Sequence, residues 1–275
     1  MTAAPAFAKI NLALVVGPLR EDGKHEVVTV LQRIDLHDTI TLSAADELGV
    51  DGFAEDTLVT SALVTLARSA GVRPHWHVHI EKQIPVAAGL GGGSSDAATA
   101  LALANETLDE PLPTGDLHRL AAGLGADVPF FLQTGSQLGT GDGSELATVE
   151  LPIEYAVVLV VPHGATKDSS GAVYAEFDAR VGAAGFDARV AALHDTLAAV
   201  TTPIDLGALP PNDLSSSALT RDLVAMGAFR ADVSGAGPTV YGLFTDEAEA
   251  ESAAGRLAPL GRTFVARPVP ARRHA

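Results

Sequence analysis

Residues 85–98 read PVAAGLGGGSSDAA, a glycine-rich loop that passes directly into an alanine-rich segment with the composition of a helix. Glycine has no Cβ, so the backbone of such a loop can approach a ligand closely. The first turn of the following helix presents N–H groups without intrahelical partners and carries a partial positive charge. Loop and helix together therefore predict an anion-binding site; the alternative is a plain turn in which Ser95 is the helix N-cap.

The overall charge means that any phosphate must bind at a local site of this kind. Lys and Arg total 18 against 34 Asp and Glu, which gives a formal net charge of −16. The mean field of such a chain repels phosphate groups, so we expect no binding to nucleic acid and no attachment to an anionic membrane. Backbone N–H groups can hold a phosphate without a basic patch.

Three widespread motifs do not fit the loop. No Gly-Lys-Ser or Gly-Lys-Thr ends it, so it is not a Walker A motif. Ser94 stands where a dinucleotide-binding loop has its third glycine, and Pro85 separates the loop from the preceding strand. Gly-x-Ser-x-Gly is absent, which excludes the nucleophile elbow of α/β-hydrolases. The loop therefore indicates phosphate binding of a different type.

The composition is that of an ordinary mixed α and β protein, with 47% hydrophobic residues and 5% aromatics. The 275 residues suffice for one large domain or two of ordinary size. Because cysteine is absent, disulfides, thiolate metal sites and a cysteine nucleophile are excluded, and we expect a cytoplasmic location. No apolar run approaches the roughly 20 residues of a membrane helix. Lys9 and Asn11 interrupt the apolar N-terminus, so we expect no signal peptide.

Hydrophobic periodicity divides the chain into elements, with a soft boundary near residue 150. Lys9 and Asn11 alternate with apolar residues on one predicted strand and so share a face. His75, His77 and His79 also alternate, which we interpret as a solvated strand face and not a metal site. The predicted strands are 7–16, 27–34, 76–81, 155–161, 229–234, 239–244 and 263–269, and the predicted helices are 95–108, 117–124, 188–200 and 246–257.

Five segments of the chain resemble the GHMP kinase superfamily, whose glycine loop holds the phosphates of ATP. They occur in the order of that family and span nearly the whole chain. The loop is characteristic of the superfamily, whereas the first, second and fourth segments resemble its members that phosphorylate a cytidine diphosphate alcohol. The segments are AKINL at 8–12, REDGKH at 20–25, the loop at 85–98, LGADVPFF at 124–131 and SGAGPT at 234–239.

The resemblance implies an α+β protein with the two-domain GHMP kinase fold. Residues 1–150 would form an N-terminal ATP-binding domain similar to ribosomal protein S5 domain 2, and residues 151–275 a ferredoxin-like C-terminal domain. The last sixty residues independently read strand, glycine turn, strand, helix, strand, which agrees with the second of these.

The resemblance also implies the activity. The γ-phosphoryl group of ATP would be transferred, with Mg²⁺, to a hydroxyl of the methylerythritol part of a small-molecule cytidine diphosphate alcohol, in non-mevalonate isoprenoid biosynthesis. The alternatives are a GHMP kinase for another small alcohol, such as homoserine or mevalonate, and a catalytically silent nucleotide-binding module. Retention of both Lys9 and Asp127 argues against the silent module. We expect a monomer or a weak homodimer.

Residue roles follow from the same resemblance. Lys9 and Asp127 would be the catalytic pair, the lysine offsetting charge on the transferring group and the carboxylate accepting or orienting the hydroxyl proton. By residue type alone, Lys9 would be a solvated strand lysine and Asp127 a turn or cap residue. The substrate-binding residues would be Asn11, His25, Tyr174, Gly235 and Gly237. The ATP-binding residues would be Pro85, Val86, Ala87, Ala88, Gly89, Leu90, Gly91, Gly92, Gly93, Ser94 and Ser95.

Lys24 departs from the family pattern, in which a tyrosine at this position stacks on cytosine. A lysine cannot stack in that way, so we expect His25 to read the polar edge of the base and Tyr174 to cover one face. Asn212-Asp213-Leu214 matches a short family motif, to which we assign a structural role.

Overall fold

The computed structural model describes residues 1–53, 58–165, 170–180 and 182–271. Its strands are β1 (Thr2–Leu19), β2 (His25–Ala44), β3 (Gly49–Asp51), β4 (Trp76–Glu81), β5 (Ser136–Thr140), β6 (Glu145–Val149), β7 (Ala156–Pro162), β8 (Arg230–Val233), β9 (Val240–Phe244) and β10 (Gly261–Ala266). Its α-helices are α1 (Leu58–Ala70), α2 (Gly92–Glu106), α3 (Thr114–Leu124), α4 (Val128–Leu132), α5 (Ser170–Arg180), α6 (Phe186–Ala199), α7 (Leu219–Ala225) and α8 (Glu247–Leu257), and a 3₁₀ helix spans Pro203–Ala208.

The predicted elements are confirmed within a few residues, except that β1 and β2 extend well beyond the predicted strands 7–16 and 27–34. The two strands pair with each other. Asp246 caps α8 as predicted, since its side chain accepts a hydrogen bond from the backbone N–H of Glu249.

The glycine-rich loop ends in a helix that begins earlier than predicted. α2 starts at Gly92, and its N-cap is Gly91, whose φ of 71° lies in the left-handed region that favours glycine. Ser95 lies inside the helix, and its N–H donates to the carbonyl of Gly91 at 2.9 Å. Ser95 is therefore not the N-cap, and the last glycines of the loop form the first turn of α2.

The first of two compact units comprises Met1–Ala8, Leu36–Val86 and Gly91–Thr134. In it the second half of β2 pairs antiparallel with β4, and β3 pairs parallel with β4. Helices α1 to α4 pack against one another, and their apolar faces share one core. Trp76 is buried in that core, and its indole N–H donates to Thr107 at 2.8 Å.

The second unit comprises Lys9–Asp35, Ala87–Leu90 and Gly135–Ala275. The first half of β2 pairs with β5, and β5 pairs with β6, all antiparallel. A separate antiparallel sheet has the order β10-β7-β9-β8, and α7 and α8 pack on it. In chain order these strands are fourth, first, third and second, so the predicted ferredoxin-like arrangement is confirmed.

The predicted division into residues 1–150 and 151–275 stays a prediction. β1 and β2 contribute residues to both compact units. Within the described ranges, no helix is both long enough and apolar enough to cross a membrane.

Candidate active site

Lys9 and Asn11 are buried side by side on β1, with 3% and 5% of their surfaces exposed. The ammonium group of Lys9 donates to Asn11 Oδ1 at 2.6 Å, and Asn11 Nδ2 donates to the hydroxyl of Thr29 at 2.8 Å. Thr29 in turn donates to the carbonyl of Ala13 at 2.8 Å. Lys9 is therefore not a solvated strand lysine: it is a buried cation whose orientation is fixed by a chain of hydrogen bonds.

A second glycine loop, residues 234–239, lies against this pair. Gly235 and Gly237 have φ values of 56° and 76°. A Cβ on Gly235 would lie 3.3 Å from both Lys9 Nζ and Asn11 Oδ1, which leaves little space for a side chain. The backbone of the second glycine loop thus closely approaches the two polar side chains.

The middle of the first glycine loop, residues 85–95, contacts the second glycine loop and β1. Ser234 Oγ donates to the carbonyl of Gly89 at 2.9 Å, and the N–H of Thr239 donates to the carbonyl of Ala88 at 3.2 Å. The N–H of Lys9 donates to the carbonyl of Leu90 at 2.9 Å. A Cβ on Gly89 would come within 2.3 Å of the Ser234 carbonyl oxygen, so this contact requires glycine.

The end of the first glycine loop forms the N-terminus of α2. No side chain caps this helix, so its first N–H groups are left for solvent or a ligand. Gly93 is exposed, and a Cβ there would meet no protein atom within 4 Å. Among the described residues, Ser95 Oγ is a buried side-chain oxygen without a hydrogen-bond partner. Pro85 is half-buried and Val86 is exposed.

A buried charge cluster that the sequence did not reveal lies beside this helix start. Lys82 Nζ donates to Asp38 at 2.6 Å and to Asp96 at 2.7 Å, and both carboxylates are fully buried. Asp38 also accepts the N–H groups of Gln83 and Ile84 at 2.5 and 2.8 Å. The cluster therefore ties the segment that precedes the loop to the first turns of α2.

The charges of this cluster raise the pKa of Asp96. Burial, opposed by Lys82 and reinforced by repulsion from Asp38, raises the pKa of Asp96 to about 7. Attraction by the two carboxylates outweighs the burial of Lys82 and raises the pKa of its ammonium group. Asp38 accepts two backbone hydrogen bonds in addition to that of Lys82.

We expect the free energy of unfolding of the wild type to fall relative to that of Asp96→Asn as pH rises from 4 to 7. The folded protein holds a proton on Asp96 that the unfolded chain releases near pH 4, so raising the pH through this range favours the unfolded state. The difference between the two proteins should reach about 1 to 4 kcal/mol. Urea unfolding at pH 4.5 and 7.5 measures it, with the exposed Asp109→Asn as the control. Equal pH dependence in all three proteins would contradict this assignment.

Asp127 immediately precedes α4 and is half-buried. Its side chain makes no capping hydrogen bond to the helix, although it occupies the N-cap position. Asp127 therefore occupies the cap position without making the capping hydrogen bond. Val128 and Phe130 beside it are fully buried, and they fix the backbone from which this carboxylate projects.

His25 and Tyr174 lie against each other. Their rings stack with centroids 5.0 Å apart and an interplanar angle of 17°, and Phe177 meets the His25 ring edge-on. His25 Nδ1 donates to the carbonyl of Gly17 at 2.9 Å, and Nε2 lies 3.4 Å from the carboxylate of Asp178. Tyr174 therefore covers one face of His25; Phe177 and Asp178 are neighbours that the sequence did not reveal.

Lys24 is exposed and forms an ion pair with Asp142. Burial alone would raise the pKa of Asp142, but hydrogen bonds from Lys24 and Ser144 lower it to about 2. Lys24 is thus engaged with a carboxylate and does not offer an aromatic surface at this position.

The predicted site residues are distributed over both units. The second unit contains Lys9, Asn11, His25, residues 87–90, Tyr174, Gly235 and Gly237. The first unit contains Pro85, Val86, residues 91–95 and Asp127.

The histidines of β4 contact a single carboxylate. His79 Nδ1 bonds Asp51 at 2.5 Å, and His77 Nε2 lies 3.2 Å from the other oxygen of Asp51. All three side chains are at least 40% exposed. In the part of the chain that the structure describes, no group of three or more His, Cys, Asp or Glu is arranged to hold a metal ion.

Two family models match the chain. Residues 57–135 match the GHMP kinases N terminal domain, and residues 217–260 match the GHMP kinases C terminal model. The first match contains residues 85–95 and Asp127, and the second contains the second glycine loop.

Two relatives that share one name with each other match almost the whole chain. A 4-diphosphocytidyl-2-C-methyl-D-erythritol kinase of Salinispora tropica is 40% identical and covers 92% of this chain and 86% of its own length. The kinase of that name from Kineococcus radiotolerans is also 40% identical and covers 94% of this chain and 86% of its own length.

Solved structures show the same fold. A 4-(cytidine 5'-diphospho)-2C-methyl-D-erythritol kinase has a TM-score of 0.78 at 28% identity, covering 97% of this chain and 99% of that chain. A mevalonate kinase has a TM-score of 0.75 over 98% of this chain and 100% of its own, but at 14% identity this likeness shows the fold alone.

Proposed function

The chain belongs to the family of 4-diphosphocytidyl-2-C-methyl-D-erythritol kinases, and we propose on that basis how its residues perform the reaction. It has the two-domain GHMP kinase fold and is an ATP-dependent kinase. It phosphorylates a hydroxyl of 4-diphosphocytidyl-2-C-methyl-D-erythritol to give the 2-phosphate in non-mevalonate isoprenoid precursor biosynthesis. The observation that carries the assignment of roles is the buried Lys9–Asn11 pair under the second glycine loop.

The proposed chemistry assigns separate tasks to Lys9 and Asp127. The substrate hydroxyl oxygen forms a bond to the γ-phosphorus as the bond between that phosphorus and the ADP oxygen breaks. Asp127 accepts or orients the hydroxyl proton, and the ammonium group of Lys9 offsets negative charge on the transferring group. A buried cation is suited to this task, because charge interactions are stronger where water is excluded.

Residues 85–95 are proposed to hold the phosphates of ATP. The N–H groups at the start of α2 supply donors and a partial positive charge. The buried, unpartnered hydroxyl of Ser95 is available to a ligand at the same helix start.

The residues present also fit Mg²⁺, which is part of the proposal. Ser95 offers a buried hydroxyl oxygen without a partner at the start of α2, and oxygen ligands are those that this ion prefers. When bound with ATP, Mg²⁺ neutralises charge on the phosphates.

We assign cytosine recognition to His25 and Tyr174, and substrate contacts to Asn11, Gly235 and Gly237. The stacked rings of His25 and Tyr174 present an aromatic surface suited to a base, while Lys24 is held by Asp142. The cytoplasmic location and the monomer or weak homodimer stay predictions.

The experiment that tests the function is a coupled assay of ADP release with ATP–Mg²⁺ and a panel of alcohols. We expect turnover with 4-diphosphocytidyl-2-C-methyl-D-erythritol, and turnover at least about 100-fold lower with homoserine or mevalonate, because a site built for a polar base rejects ligands that leave its groups unpaired. Preference for homoserine or mevalonate would replace the proposed substrate and keep the kinase. ATP binding without turnover on any alcohol would instead indicate the silent module.

A further inference from the structure

The segment Asn212-Asp213-Leu214 lies between β1 and the second glycine loop, and we propose that Asn212 is a positioning residue for phosphoryl transfer. It contacts neither Lys9 nor Asn11 in any hydrogen bond of the described structure; it acts through Gly235. The inference rests on the proposed roles of Lys9 and Asn11, and it assigns a specific task to a motif that the sequence marked only as structural.

The side chain of Asn212 holds the second glycine loop by its carbonyl groups. Both hydrogens of its amide are used: Nδ2 donates to the carbonyl of Val233 at 2.9 Å and to that of Gly235 at 2.6 Å. Its Oδ1 accepts the N–H of Leu214 at 2.8 Å. These two donated bonds and one accepted bond define the orientation of the amide. An aspartate has the same shape, but its ionised carboxylate has no hydrogen to donate to the two carbonyls.

The backbone of Asn212 is fixed as well. Its N–H donates to Asp232 Oδ2 at 2.9 Å, and Asp232 is paired with the buried Arg230 at 3.2 Å. Arg230 also donates to the carbonyls of Leu209 and Pro210 at 2.6 and 2.9 Å. The chain immediately before Asn212 is therefore held by a buried guanidinium, so the amide cannot shift without breaking several bonds.

The other side of the motif is attached to β1, the strand that carries Lys9 and Asn11. Leu14 and Asn212 form a parallel bridge, and the N–H of Asp213 donates to the Leu14 carbonyl at 2.9 Å. Asp213 accepts the N–H of Val16 at 2.8 Å, while Arg189 bonds the Val16 carbonyl at 2.7 Å. The motif thus links the strand of the reactive cation to the loop that covers it.

This link sets the distance between Gly235 and the Lys9–Asn11 pair. The backbone of Gly235 is so close that a Cβ would lie 3.3 Å from Lys9 Nζ and from Asn11 Oδ1. Its carbonyl is held by Asn212 at 2.6 Å. If that hydrogen bond is lost, the second glycine loop can move away from the cation, and misplacement on the order of 1 Å costs about 100-fold in rate.

The test compares Asn212→Asp with Asn105→Asp. Asn105 is a matched control, because it is equally buried at 8% and also bonds backbone only, donating to the Leu112 carbonyl at 3.1 Å and accepting the Leu112 N–H at 2.8 Å. Both variants should lower Tm. We expect only Asn212→Asp to lower kcat, by roughly 10- to 100-fold, with the Kd for ATP changed less than about threefold.

Two further readouts separate positioning from a general loss of stability. Amide hydrogen exchange of residues 234–239 should become faster in Asn212→Asp and stay unchanged in Asn105→Asp, because only the former releases the Gly235 carbonyl. The kcat defect should also shrink as pH is lowered, since a protonated aspartic acid can again donate to a carbonyl. If Asn212→Asp does not fold, Asn212→Gln is measured in the same way, because it keeps the amide and displaces it.

The outcomes also separate this inference from the proposed function. Faster exchange of residues 234–239 and a lower kcat with whichever alcohol the wild type accepts support the positioning role, even if that alcohol is not the diphosphocytidyl substrate. Unchanged exchange or unchanged kcat in a folded Asn212 variant overturns it. An equal loss of kcat in Asn105→Asp also overturns it, because the effect would then follow stability alone.

Discussion

Asp127→Asn is expected to lower kcat by about 100-fold or more while leaving ATP affinity and Tm nearly unchanged. The amide has the shape of the carboxylate but cannot accept the hydroxyl proton. The Asp127 side chain makes no capping hydrogen bond to α4, so the substitution leaves the cap of this helix as it is. Single-turnover kinetics with saturating ATP and alcohol measure the chemical step directly.

The control for this variant is Asp109→Asn, which neutralises an exposed carboxylate of the same type. It should retain wild-type kcat. Wild-type turnover in Asp127→Asn would remove Asp127 from the chemistry, and a change confined to KM would make it a binding residue.

Gly93→Val is expected to weaken ATP binding by about 100-fold or more with little change in Tm. In the protein itself a Cβ at Gly93 meets no atom within 4 Å, so the added side chain causes no internal clash. If the phosphates lie against the backbone at the start of α2, the valine occupies their space. Isothermal titration with ATP–Mg²⁺ measures the change in affinity.

Gly115→Val is a closely matched control. Gly115 is the second residue of α3 as Gly93 is the second residue of α2, and a Cβ there is equally unobstructed. This variant should bind ATP like the wild type. Unchanged ATP affinity in Gly93→Val would mean that the phosphates do not approach the start of α2.

The sequence predicted helices and strands best where one face of the element is apolar and turn-forming or capping residues stand at its ends. The strand Trp76–Glu81 and the helix ending at Leu257 follow this rule and were predicted at their observed ends. β6 was missed because most of its residues are exposed, so it lacks a buried apolar face. α1 was also missed, although Val59, Leu63 and Leu66 carry a helical spacing that could have identified it.

The candidate site was only partly predictable. The first glycine loop and the Lys9–Asn11 face follow from local spacing, whereas the roles of Lys9 and Asp127 came from resemblance to a family. Thr29, Asp38 and Lys82 gave no distinctive signal, because a threonine in a strand or a lone charged residue in or beside a strand is common on protein surfaces. Only burial and pairing distinguish them here.

The sequence by itself determined the properties that depend on neighbouring residues: the phosphate-binding chemistry of residues 85–95, the periodic strands and helices, and the family. The tertiary structure alone decided which distant residues meet. The Asp213 carboxylate bonds Val16 across 197 positions of sequence, and the Lys82 ammonium group is shared between two buried carboxylates. Periodicity reports only which face of an element is apolar, so contacts such as these, which set the charge and geometry of the site, appear only when the elements have packed.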